Sequence, residues 1–109
     1  MEVEHWNENW GVLNEQNMKK KLENDGFSVV TYTYLPGTYF PEHSHSIDKK
    51  DTVISGQFRM TAAGKEFILG PGDMLLVPAN TVHTAEVVGK TPPSTIVGAS
   101  AWSRRGPGD

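Results

Sequence analysis

From residue 27 onward the chain is a succession of short β-branched and aromatic runs, cut at close intervals by glycine and proline, with no helical stretch between any two of them. FSVVTYTYL (27–35) reads as a strand ended by the turn pair Pro36-Gly37. TVISGQFRMT (52–61) reads as one long strand. Ala63-Gly64-Lys65 suits a hairpin loop into EFIL (66–69), and Pro71-Gly72 turns the chain again. MLLVP (74–78) is a short apolar strand, closed by Pro78-Ala79-Asn80, where Asn tolerates positive φ. VHTAEVV (82–88) and STIVGASAW (94–102) complete the set. Parallel neighbours would need a crossover of a dozen or more residues, usually a helix. None is present, so the pattern predicts an all-β antiparallel sandwich or barrel.

The one helix expected lies before the strands, over 15–25 (EQNMKKKLEND), capped by Asn14 and ended by Gly26. Met18 and Leu22, four apart, give it a narrow apolar stripe. Its lysine run, 19–21, reads as a solvated face paired with Glu15 and Glu23 rather than as an anion patch. Residues 1–13, with Trp6 and Trp10, have no assigned structure. The organisation is then an N-terminal segment (1–26), a β domain (27–102) and a flexible tail (103–109).

At 109 residues there is one domain, burying roughly 65% of the unfolded chain's surface. No cysteine is present, which excludes disulfides, thiolate zinc sites and thiol catalysis and fits a reducing, cytoplasmic setting. The acidic, polar N-terminus does not resemble a signal peptide, and no apolar run of about 18 residues exists. With a net charge of -3 and no basic stripe, neither nucleic acid nor membrane is an expected partner.

Chemistry concentrates in the histidines. His43 and His45 stand at i, i+2, which in a strand places both rings on one face about 6.6 Å apart. His83 opens a later strand pattern, and in a closed barrel distant strands point inward at one spot. Three neutral imidazoles would suit Zn, Fe, Ni or Cu better than Mg or Ca, although two nearby His taken alone more often meet solvent than bind metal.

The spacing around these residues resembles the cupin family over about residues 27–100. Gly37, TYFPE, His43-Ser44-His45, SID, Lys49, KDTVIS and Gly56 follow its first motif. Gly72, DMLLV, Pro78-Ala79-Asn80, TV, His83, TAE and Val87 follow its second. The resemblance implies a double-stranded β-helix (jelly-roll barrel), one divalent transition metal per chain (Fe, Zn, Ni, Mn or Cu) held by His43, His45 and His83, and a homodimer. Three positions depart from the pattern: Lys49 stands where the family has a ligating Glu, Asn80 replaces a turn Gly, and Val87 replaces the terminal Asn.

Lys49 is the consequential departure, since an ammonium offers no lone pair to a cation. Strand parity places Lys49 and Asp51 inward and Asp48 and Lys50 outward. Three arrangements remain: a three-His centre with Lys49 paired to Asp51 or to an anionic substrate; a displaced carboxylate ligand from Asp51 or Asp48; or a metal-free pocket in which Lys49 supplants the ion. We favour the first, with Lys49 as catalytic and substrate-binding residue, and Asp51 and Tyr34 also lining the substrate site. The same pocket would serve a metal-dependent oxygenase, isomerase or lyase acting on a small organic acid or other metabolite, or a non-catalytic sensor of a small ligand. Tyr39 and Phe40 are expected at the pocket rim, and Phe58, Met60, Phe67 and Leu69 in the core. His5 is read as a surface residue, Glu42 and Ser44 as facing away from the site, and Trp102 as an interface or core plug.

Overall fold

The computed structural model describes residues 1–89 and 92–101; the expectations for Trp102 and the 103–109 tail lie outside the described residues. Nine strands and one α-helix follow in the order β1 (Val3–His5), α1 (Glu15–Asn24), β2 (Phe27–Tyr34), β3 (Tyr39–His43), β4 (Lys49–Ser55), β5 (Gln57–Ala62), β6 (Lys65–Leu69), β7 (Asp73–Val77), β8 (His83–Val88) and β9 (Ser94–Ala101). They form a five-stranded antiparallel sheet, β1-β7-β4-β9-β2, facing a four-stranded one, β3-β8-β5-β6.

The helix forms where its caps predict. The Asn14 side chain accepts from the Asn17 N–H at 2.8 Å, and Gly26 leaves the helix at φ +95°. Met18 and Leu22 are fully buried against Met74, Val97 and Ala99 on the outer face of the five-stranded sheet. Each such side chain contributes about 1.5–3 kcal/mol through apolar burial. Glu15 pairs with Lys19 at 3.0 Å, but the second ion pair is Lys21–Asp25 rather than one to Glu23. The inner faces of both sheets bury Val53, Phe58, Met60, Leu69, Leu75 and Ile96 between them.

Two expectations are corrected. The run 52–61 is two strands in different sheets, broken at Gly56 with φ +90°. A Cβ there would stand 1.8 Å from Ser94 Oγ, so only glycine lets the chain cross from one sheet to the other at this point. The sheets, moreover, do not close into a hydrogen-bonded barrel: β1 and β2 edge one sheet and β3 and β6 the other. The crossing at Gly56 turns the chain out of one ladder into the facing one instead of extending a single ladder around. The architecture is a two-sheet jelly-roll sandwich with a pocket between the sheets.

The first residues are held to the five-stranded sheet. β1 pairs with β7, Glu4 Oε1 meets the buried Lys50 Nζ at 2.6 Å, and the Trp6 ring nitrogen donates to the Gly11 carbonyl at 2.9 Å. Among the described residues, no helix is long and apolar enough to cross a membrane.

Candidate metal centre

His43 ends β3, His83 begins β8, and the two are register partners across the pair. This pairing depends on a β-bulge. Phe40 lies opposite Ala85, so a regular ladder would set Glu42 opposite His83; an extra residue between Phe40 and His43 brings His43 there instead. Pro41, with no N–H to give a ladder, occupies that irregular stretch. His45 does not share a strand face with His43, as alternation alone predicts, because β3 stops at His43. A separate clamp places it: the Asn80 N–H donates to the His45 carbonyl at 2.7 Å, and the Ala79 N–H donates to Asp48 Oδ1 at 2.8 Å. Asn80 holds this turn at φ +64°, the conformation its side chain tolerates.

The three rings converge. Their centroids stand 4.2 Å (His43–His83), 5.0 Å (His43–His45) and 5.5 Å (His45–His83) apart, and one ligating atom of each lies within 4.8 Å of the others. Nδ1 of His43 is 2.7 Å from the Pro41 carbonyl oxygen, and Nδ1 of His83 is 2.9 Å from that of Thr81. A carbonyl oxygen only accepts, so in both rings Nδ1 carries a proton, which in the neutral imidazole leaves the lone pair on Nε2. That is the protonation pattern of metal-bound imidazole with its second nitrogen oriented by the backbone. Burial and the neighbouring charges of Lys49, His43 and His83 lower the His45 pKa, favouring its neutral, ligating form. The donor set fits a transition-metal ion on these grounds.

The centre opens onto a cavity of about 230 Å³ between the sheets. Lys49 and Asp51 line it, as strand parity predicts, and Tyr34 lines it as well. Lys49 and Asp51 do not form an ion pair with each other, however: the Lys49 ammonium donates to Ser100 Oγ at 2.6 Å. The Asp51 carboxyl is pushed above its usual range by burial, against the opposing charges of His83, Lys49 and His43. Burial likewise raises the Tyr34 hydroxyl, with Tyr32 and Asp51 adding to the effect. Asp48 is occupied by the Ala79 N–H and is not among the clustered ligands, nor is Asp51.

Several other expectations resolve here. Phe40 lines the cavity, but Tyr39, 57% exposed, does not, because alternation along β3 turns it to the outer face. Glu42 and Ser44 are exposed and outside the cavity lining. His5 is an exposed residue 2.7 Å from Asp73. Lys50 does face away from the cavity, yet it is buried rather than solvated. Sequence reasoning missed Ser100 and Gly98. A Cβ at Gly98 would stand 3.3 Å from the Tyr32 ring, so its small size makes room for the pocket wall.

A family model described as Cupin domain matches residues 30–97. No curated protein matches the chain. Among solved structures it is similar to KdgF from Halomonas sp. (23% identity, 73% of each chain covered, TM-score 0.61). It is also similar to an uncharacterized conserved protein with a double-stranded β-helix domain from Klebsiella pneumoniae (28% identity, 70% of this chain and 67% of that one, TM-score 0.58). A third likeness is to the DMSP lyase DddQ from Ruegeria pomeroyi (20% identity, 73% of this chain but 40% of that one, TM-score 0.62).

Proposed function

Because this chain belongs to the cupin family, we propose that His43, His45 and His83 hold one divalent transition-metal ion and that the protein is a mononuclear metal-dependent enzyme acting on a small metabolite. The observation that carries this reading is the convergence of the three rings, with Nδ1 of His43 and of His83 bonded to the Pro41 and Thr81 carbonyls, so that Nε2 is the nitrogen each neutral ring would offer an ion. Similarity to a structure described as a DMSP lyase supports lyase chemistry on this fold. An ion held by these three imidazoles would supply Lewis acidity, or dioxygen chemistry if it were iron.

The chain's own residues do the rest. The backbone carbonyls hold two imidazoles in the ligating tautomer. Lys49 offers a positive charge to a substrate oxygen, stabilising negative charge that develops there. Phe40, Phe58 and Ile96 supply an apolar part of the cavity lining.

Elemental analysis of protein purified without added metal tests the reading. Near-stoichiometric metal is expected in the wild type, with retention reduced by about 10–100-fold or more in His83→Ala. Metal should leave as the imidazoles protonate, below about pH 6. Full metal in His83→Ala would refute the ligand set. A second reading, a pocket that binds ligand without turnover, draws on Lys49 standing at the family's Glu position. It predicts ligand-induced thermal stabilisation with neither product nor sensitivity to chelation.

A further inference from the structure

The cavity lining is of two kinds. Lys49, whose charge acts on His45, is hydrogen-bonded to Ser100, and an aromatic ladder supplies another part of the lining. Tyr32 stacks on Tyr34 at 5.5 Å, Tyr34 meets Phe40 edge-on at 5.2 Å, and Phe40 meets Phe58 at 6.3 Å. The ladder descends from the half-exposed rim at Tyr32 (43%) to the buried floor at Phe58 (4%). Lys49 is half-buried and, among the described residues, has no carboxylate within ion-pair distance; its one fixed partner is a neutral hydroxyl. An ammonium has three donors, so those not used by Ser100 remain available to a ligand. A cation in such surroundings gains most from an anion brought to it.

We infer that the pocket takes a small monocarboxylate with a flat apolar or aromatic body, its carboxylate held by Lys49 and Ser100 and its body laid along the Tyr34–Phe40 wall. This rests on the reading of the cavity as the functional site and names its ligand class. Size limits the ligand, because about 230 Å³ lies below the 300–1,000 Å³ typical of sites for drug-sized molecules. Charge limits it too. With the metal removed, Lys49 is, among the described residues, the one Lys or Arg lining the cavity, while Asp51 lines it as well and opposes a second negative group. A monoanion is therefore favoured over a dianion of similar shape. The ladder favours flat ligands, since aromatic pairs add attraction beyond the area they bury.

Benzoate, benzamide and terephthalate separate these terms. Calorimetric titration of the full chain, before and after chelation, should show benzoate binding about tenfold or more tightly than benzamide. After chelation, terephthalate should bind more weakly than benzoate. Lys49→Met should weaken benzoate by about tenfold or more, Lys49→Arg should retain most of the binding, and Ser100→Ala should weaken it less than Lys49→Met does. Circular dichroism of each variant reads folding separately. Chelated protein should keep benzoate binding that still depends on Lys49. Benzoate binding no tighter than benzamide, or unchanged in Lys49→Met, overturns the inference. So does terephthalate binding as tightly as benzoate after chelation. Failure of the metal reading looks different: wild-type protein at background metal content, with Lys49-dependent benzoate binding intact, a result that supports the present inference.

Discussion

Lys49 and Lys50 are adjacent in β4 and project to opposite faces of the five-stranded sheet, where their surroundings differ in kind. Lys50, 6% exposed, sits on the helix-covered side with a carboxylate at 2.6 Å and the Phe27 ring 5.8 Å from its nitrogen. Its charge is answered by an acid and an aromatic face, and nothing there is left for a ligand to do. Lys49, on the cavity side, has a hydroxyl and open space. Two identical side chains one residue apart are thus divided into a structural and a functional role by what the rest of the chain brings to each face. The outer face completes its contacts within the chain, whereas the inner face leaves them incomplete around the histidines.

This contrast is sharpened most by Leu22→Ala, which removes a fully buried contact from the outer face alone. A loss of about 2–5 kcal/mol in urea unfolding is expected, with metal content per folded chain unchanged. Metal loss in parallel with stability would show that the two faces are not separable. A smaller effect, about 1–2 kcal/mol, is expected for Glu4→Ala, which strands the Lys50 ammonium; the half-exposed position of Glu4 limits the cost. Lys49→Met should shift stability by about 0.5 kcal/mol or less. If Lys49→Met proves the more destabilising of the two, the assignment of roles is inverted.

Another effect concerns pH. The Asp51 carboxyl has a raised pKa in the folded protein, so its favourable balance is complete below about pH 4 and is lost as the pH rises through the raised value. Asp51→Asn should therefore be more stable than wild type at neutral pH, by about 1 kcal/mol or less, with the difference vanishing in acid. A difference in stability that ignores pH from 4 to 8 would assign Asp51 an ion pair instead.

What the sequence makes legible here is what is local. The Asn14 cap, the Met18–Leu22 stripe, the turn at Asn80 and the inward parity of Lys49 and Asp51 each depend on a few neighbouring residues, and each is read correctly. The meeting of His83 with His43 and His45 is long-range, and becomes legible through the motif spacing on either side. Gly56 was hidden inside a continuous strand pattern because its requirement is set by Ser94, far along the chain. The bulge before His43 was hidden for the same reason: alternation counts residues along one strand, while the register is decided by two. Ser100 could not be singled out, since a serine gains meaning here only from the ammonium it faces.

The orienting bonds of His43 and His83 end on main-chain oxygens two residues upstream, at positions 41 and 81. Main-chain oxygens are supplied by every amino acid, so no exchange of side chain at either position deletes the acceptor. The aim of the two rings is thereby insulated from mutational drift across the surrounding walls. Such a scaffold can have its aromatic ladder and its lysine rewritten, and so be readdressed to a different guest, while the imidazole cluster keeps its pose.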